Sequence, residues 1–81
     1  MVRITSVRPL ERFEVELDFS DGSRRAVDLS PYLRGPVFQP IRDDPALFRA
    51  VRVDRRLGTI VWPNGADLDP DVLYAGLEPA A

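Results

Sequence analysis

The clearest pattern in the chain is an alternation of apolar and acidic residues between positions 13 and 19. The apolar residues are Phe13, Val15, Leu17 and Phe19, and the acidic ones between them are Glu14, Glu16 and Asp18. Successive side chains of a strand point to opposite faces, so this period of two predicts a strand with one core face and one solvated face. The β-branched segment before it, residues 2–8, predicts a strand of its own.

The turn at residues 20–22 sets the register of the next strand. A two-residue Asp-Gly loop would pair Val15 with Asp28 and would mix polar and apolar residues on both faces. A three-residue loop with Gly22 in the left-handed conformation keeps the faces separate. It pairs Phe13 with Leu29, Val15 with Val27 and Asp18 with Arg24. We therefore predict the three-residue loop and a three-stranded meander.

Three dipeptides join an oxygen-bearing residue to proline, namely Ser30-Pro31, Asp44-Pro45 and Asp69-Pro70. An oxygen acceptor at the N-cap and proline at the first helical position are both favourable at a helix start. The pattern predicts three short helices, over residues 31–33, 45–50 and 70–75. Gly35 ends the first of them.

A second hairpin is predicted from residues 51–54 and 59–62, joined by a four-residue loop that Gly58 closes. Pairing Val53 with Ile60 and Val51 with Trp62 keeps one apolar face, which directs Trp62 to the core. The elements together predict an α+β fold. Its sheet is mainly antiparallel, built from a three-strand meander plus a second hairpin, with two to three short helices. We expect one domain over residues 1–81, with about 76–81 as a frayed tail.

Composition removes several kinds of chemistry. The 81 residues contain no Cys and no His, which excludes disulfides, thiolate or imidazole ligands and His-based acid–base catalysis. We predict no catalytic residue, no bound metal and no cofactor. Eleven basic and 13 acidic residues give a net charge of −2, which disfavours nucleic acid as a partner. No apolar run is long enough for a membrane span or a signal peptide, so we expect a cytoplasmic protein.

Two clusters suggest other functions. The acids Asp67, Asp69, Asp71 and Glu78 have the spacing of a calcium loop, but Val72 stands where such a loop needs glycine. Four arginines, at positions 49, 52, 55 and 56, with Trp62 as an aromatic platform, suggest weak nucleic-acid binding. Because Trp62 is predicted to face the core, this second alternative is disfavoured.

The segment 62–70 concentrates turn-forming residues between the last strand and the last helix. Pro63 ends the strand, and Asp69 caps the helix. Local structure leaves Asn64 and Asp67 without a role, and an exposed edge of Trp62 would complete a contact surface. The candidate partner-binding residues are therefore Trp62, Asn64, Gly65, Asp67 and Asp69.

Several motifs together resemble the bacterial domain of unknown function family 2442. They are Phe19-x-Asp21-Gly22, Val27-Asp28-Leu29, Gly35-Pro36-Val37-Phe38, Leu47-Phe48 and, most specifically, Gly58 to Pro70 with its Trp-Pro-Asn-Gly-Ala-Asp core. The resemblance covers residues 4–74. It implies a small α+β fold in a bacterial, cytoplasmic protein. Members of this family are often encoded beside another small protein and have been suggested to belong to toxin–antitoxin pairs. The resemblance implies the same setting for this chain.

We therefore expect a small protein-interaction module, the antitoxin or accessory member of a toxin–antitoxin-like pair. Its expected partner is another small protein encoded nearby, and a sheet edge could also join two copies of the chain. The alternative is a small ligand-binding or enzymatic domain with a carboxylate site around Asp67.

Overall fold

A computed structural model describes residues 2–76 of the chain. The strands are β1 (Ile4–Pro9), β2 (Glu14–Phe19), β3 (Arg24–Asp28), β4 (Arg52–Asp54) and β5 (Thr59–Val61). The helices are a 3-10 turn (Ser30–Tyr32), α1 (Gln39–Asp43), α2 (Pro45–Arg49) and α3 (Pro70–Ala75). The predicted α+β fold with its two antiparallel units is confirmed. Of the predicted tail, only Gly76 lies within the described residues, and it ends α3 in the left-handed conformation.

The first three strands form an antiparallel sheet in the order β1-β2-β3. Val15 pairs with Val27 and Asp18 with Arg24, and the Leu29 amide donates to the Phe13 carbonyl at 2.9 Å. The predicted register is therefore confirmed. Gly22 has a φ of 88°, which closes the three-residue turn in a conformation that side-chain-bearing residues avoid.

The second hairpin, β4 and β5, pairs Val53 with Ile60 as predicted. Gly58 closes its loop with a φ of 70° and donates its amide to the Asp54 carbonyl at 2.8 Å. The hairpin packs against the start of β1, where the Ile4 amide donates to the Gly58 carbonyl at 2.8 Å. This bond ties the two antiparallel units together.

Two of the three predicted helix starts are confirmed. Asp44 accepts from the Ala46 amide and Asp69 from the Asp71 amide, at 3.0 and 2.8 Å. The predicted N-cap at Ser30 is wrong, because Asp28 accepts from the Ser30 amide at 2.9 Å and the 3-10 turn begins at Ser30 itself. A carboxylate two residues earlier has moved the start back by one position.

One helix, α1, has no counterpart in the sequence prediction. Its N-cap, Phe38, makes no side-chain cap, and within the helix only Ile41 is buried. A helix of five residues with one buried position gives no periodic signal. The one feature of the sequence that indicates this helix is Pro40, because proline is favourable in the first turn of a helix.

The core lies between the apolar face of the three-stranded sheet, the second hairpin and the helices. Its largest fully buried side chains are Trp62, Phe48, Ile4, Leu17, Leu29, Leu33, Ile41, Ile60, Leu73 and Val15. Phe48 is the central aromatic, since Phe13 packs edge-on against its ring at 5.4 Å and Trp62 packs on it at 6.3 Å. The turn at residues 62–66 is thus built directly onto the core.

Candidate interaction surface

The segment after β5 is a closed turn. The Trp62 amide donates to the Ala66 carbonyl and the Gly65 amide to the Trp62 carbonyl, both at 2.9 Å. Asp67 then returns to pair with Val61 as an isolated antiparallel bridge. Gly65 adopts a φ of 89°, so the turn requires a residue without a Cβ at this position.

Asn64 holds this turn to a second loop. Its Oδ1 accepts from the Ala66 amide at 3.2 Å, and its Nδ2 donates to the Val37 carbonyl at 2.9 Å. The prediction that local structure leaves Asn64 without a role is therefore wrong. The bond to Ala66 is its local role, and the bond to Val37, 27 positions away, is a second role that the segment itself could not reveal.

Trp62 is buried, with 1% of its surface exposed. Its indole Nε1 donates to the Phe48 carbonyl at 3.1 Å, and Phe38 packs edge-on against its ring at 6.0 Å. The predicted core orientation is confirmed, and the exposed edge assumed for partner binding is absent. Trp62 therefore anchors the turn to the core, and its buried ring cannot stack on a nucleobase.

Beside the turn lies an apolar side chain that the sequence prediction missed. Val37 is 47% exposed, and in residues 2–76 Leu57 is the other large apolar residue in this state. We name the area formed by residues 35–37 and 63–65 the turn surface. The feature of the sequence that could have indicated an exposed Val37 is the Gly35-Pro36 pair, which places Val37 in a loop and not on a strand or helix face.

The acidic residues after the turn have separate roles. Asp69 caps α3, and Asp71 accepts from the Val2 amide at 3.3 Å, while the exposed Asp67 takes part in the bridge through its backbone. Within residues 2–76, no group of three or more His, Cys, Asp or Glu side chains is placed to hold a metal ion. Glu78 lies outside the described residues.

Arginine side chains gather at a different place, between the β1–β2 turn and α2. Arg12, Arg42 and Arg49 line a cleft of about 300 Å³ whose apolar lining includes Phe13 and Phe48. Arg42 donates to the Ser30 carbonyl at 3.2 Å and Arg49 to the Leu10 carbonyl at 3.1 Å. These two guanidinium groups therefore join α1 to the 3-10 turn and α2 to the β1–β2 turn.

The strongest electrostatic effect on an acidic group is found at the β2–β3 turn. Hydrogen bonds from Ser23 and from the Tyr74 hydroxyl lower the pKa of Asp21 from 3.8 to about 2. The same carboxylate raises the pKa of Tyr74, whose hydroxyl donates to it at 2.6 Å. Tyr74 also packs edge-on against Phe19 at 5.1 Å, so this pair attaches α3 to the sheet.

The described fold and surface define a small α+β domain with a buried aromatic centre and a turn surface fixed onto it. The chain belongs to the family described as protein of unknown function (DUF2442), whose model matches residues 4–79. No curated protein and no solved structure matches the chain. None of the helices in residues 2–76 has the length and hydropathy to cross a membrane.

Proposed function

We propose that this chain is a protein-interaction module that binds another small protein through the turn surface. The observation that carries the proposal is the position of Val37. Small interfaces have an apolar centre and a hydrogen-bonding rim, and we assign Val37 the role of that apolar centre. The polar group next to Val37 is the Asn64 side chain, which donates to the Val37 carbonyl and lies in the exposed turn of residues 63–65.

The packing beneath the turn surface supports this function. Asn64 ties the two loops together, and Trp62 holds the turn to Phe48. A surface that is ordered before binding loses less conformational entropy when a partner docks. Of the predicted partner-binding residues, Asn64 and Gly65 are exposed in the turn surface, and the exposed Asp67 and Asp69 follow it directly and stay in the proposal. Trp62 is buried and acts indirectly, by holding the turn to the core.

The biological setting we propose follows from the family resemblance. The chain would act in the bacterial cytoplasm as the antitoxin or accessory member of a toxin–antitoxin-like pair. Its partner would be the small protein encoded beside it. A domain whose loops are occupied by structural hydrogen bonds suits binding better than catalysis, since no nucleophile–base pair is assembled at the turn surface.

The test is coexpression of the chain with its genomic neighbour, followed by affinity purification of one through the other. We expect copurification, and we expect Val37→Asp to weaken binding at least tenfold, because it places a charge in the apolar centre. Leu57→Asp is the matched control, since it makes the same change at the other exposed apolar residue, in the loop of the second hairpin. It should leave binding unchanged.

The toxin–antitoxin part needs its own measurement. Expression of the neighbour alone should arrest growth, and the wild-type chain should restore growth where the Val37→Asp chain does not. A harmless neighbour that still copurifies would refute this part and keep the interaction. A neighbour that does not bind would refute both, and equal effects of the two Asp substitutions would refute the turn surface.

A further inference from the structure

The outer edge of β3 is unpaired in the described chain. The Phe19 amide donates to the Ser23 carbonyl and the Leu29 amide to the Phe13 carbonyl, so the odd-numbered residues of β3 bond to β2. Antiparallel ladders alternate in this respect. Arg24, Ala26 and Asp28 consequently direct their amide and carbonyl groups away from β2, and no other strand within residues 2–76 pairs with them.

Several devices that protect free edges from pairing are missing from β3. Its register with β2 is unbroken, it contains no proline, and its middle residue is the small and exposed Ala26. Free edges of other proteins are commonly blocked by proline, by a bulge, by charged side chains or by a covering segment, and of these β3 has the charges Arg24, Arg25 and Asp28. The charges that β3 carries are of both signs, which allows pairing in one register.

We propose that a second copy of this chain pairs with β3 antiparallel, about a two-fold axis at Ala26. In this register Ala26 faces the partner's Ala26, and Arg24 faces the partner's Asp28. Each of these positions presents both backbone groups to the edge, so the pairing forms about six backbone hydrogen bonds. The two sheets become one sheet of six strands.

Charge complementarity selects this occupant. An antiparallel pair about Ala26 places each Arg24 opposite an Asp28, and the symmetry repeats the pair on the other side. Within its own chain, Arg24 binds Asp18 through Nε and Nη2, at 2.7 and 3.4 Å, and Asp28 accepts from Ser30 through Oδ1. Nη1 of Arg24 and Oδ2 of the partner's Asp28 can then form an ion pair across the edge. Cross-strand pairs of opposite charge stabilise an antiparallel sheet.

The proposed interface differs from the turn surface and goes beyond the proposed function. Arg24, Ala26 and Asp28 lie on the solvated face of the sheet, opposite Asp18, Glu16 and Glu14. The turn surface comes from other loops, residues 35–37 and 63–65. A failure of self-association would therefore leave the binding of the neighbouring protein untouched, and the reverse also holds.

The first experiment is sedimentation velocity of the purified full chain over a range of concentrations. We expect a reversible monomer–dimer equilibrium, and Ala26→Lys should raise its dissociation constant at least about tenfold, because two ammonium groups meet at the axis. Ala46→Lys is the charge-matched control at an exposed position of α2, and it should leave the dimer unchanged. Thermal unfolding of both variants verifies their folding.

The second experiment mixes two charge variants. Arg24→Asp makes both members of each cross-strand pair acidic, and Asp28→Arg makes both basic, so each variant alone should be monomeric. An equal mixture should form a heterodimer, because the acidic chain then meets the basic one. Heterodimers appear in native mass spectrometry as a species of mixed mass.

A wild-type chain that is monomeric at every concentration would overturn the proposal, as would a dimer that Ala26→Lys does not weaken. A dimer in which the two charge variants associate as well alone as mixed would overturn the two-fold register. A β3 edge occupied only by the neighbouring protein would show as protection of the edge amides from hydrogen exchange in the complex alone, and this outcome also counts against a second copy.

Discussion

The two outer edges of the three-stranded sheet are built differently. The edge of β1 is interrupted by an irregularity between Ile4 and Ser6, carries Pro9, and is bonded at Ile4 by the second hairpin. The edge of β3 has a regular register, and no strand of residues 2–76 covers it. Within residues 2–76, a distant part of the chain therefore closes one edge of the sheet, whereas no strand pairs with the other.

The difference arises from the second hairpin. The Arg3 side chain donates to the carbonyls of Arg55 and Arg56, and the Gly58 carbonyl receives the Ile4 amide. These bonds attach the hairpin loop to the start of β1. Among the described residues, no backbone hydrogen bond joins a loop to Ala26, which is exposed. Substitutions on the two edges should therefore affect different properties, the stability at β1 and the association at β3.

The largest expected effect is the loss of core packing at the covered edge. Ile4 is 2% exposed, and Ile4→Ala should lower the free energy of unfolding by about 2–5 kcal/mol because it leaves a cavity. Ala26→Ser, at the open edge, should change it by no more than about 0.5 kcal/mol. Urea denaturation measures both values. Equal losses at the two positions would show that the edges do not differ as described.

A smaller effect is expected at the hairpin loop that covers β1. A Cβ at Gly58 would lie 2.6 Å from Cζ of Arg3, whereas one at Gly65 would meet open space. Both glycines have positive φ, so alanine at either should cost about 1–2 kcal/mol in backbone strain. Gly58→Ala should cost about 1 kcal/mol more, because it displaces the Arg3 hydrogen bonds.

The control for this prediction is a double-mutant cycle. In an Arg3→Ala background, the two glycine substitutions should become equally costly, since the group that Gly58 accommodates has been removed. If the extra cost at Gly58 persists there, Arg3 does not account for it. Chemical denaturation of the six chains, namely the wild type and the two glycine variants with and without Arg3→Ala, supplies the comparison.

The smallest expected effect is a pH dependence at the turn of the open-edge hairpin. The pKa of Asp21 is about 2 in the folded chain and 3.8 ordinarily. Asp21 therefore contributes stability above pH 4 that is lost as the pH falls from about 4 to about 2, because the unfolded chain binds the proton more readily. Asp21→Asn should reduce the slope of stability against pH in this window.

Asp54 provides the comparison at the covered edge. Hydrogen bonds from the amides of Leu57 and Arg56 lower its pKa, so its contribution has the same sign and fades in the same direction as the pH falls. Urea unfolding between pH 2 and 5 should show a smaller change of slope for Asp54→Asn than for Asp21→Asn. The opposite order would contradict the Asp21 contacts with Ser23 and Tyr74.

Sequence patterns predicted those parts of the fold that depend on neighbouring residues. The register of β2 with β3 followed from separating Val15 and Val27 from their charged neighbours, and the caps at Asp44 and Asp69 followed from the proline after each. Such features are determined locally. The predicted N-cap at Ser30 was wrong because Asp28 accepts from the Ser30 amide and Ser30 lies inside the 3-10 turn, whose N-cap is Leu29.

The candidate site was harder to predict, because its key contacts span the chain. Asn64 looked unexplained within its own turn, and only the folded chain brings the Val37 carbonyl to its side-chain amide. The burial of Trp62 followed from strand alternation, but Val37 lies in a loop outside any strand or helix, where no alternation predicts its exposure. Long-range contacts of this kind leave no periodic trace in one sequence.

The hydrogen bond between the Val2 amide and Asp71 has a consequence for the synthesis of the protein. It joins residues 69 positions apart. In addition, the Tyr74 hydroxyl donates to Asp21 and holds α3 to the sheet. Closing so long a loop carries an entropic cost that is recovered only when the late contacts form. On the ribosome, β1 and the hairpin that covers it would emerge well before α3, which carries Asp71 and Tyr74. The domain should therefore reach its full stability only after α3 has left the exit tunnel.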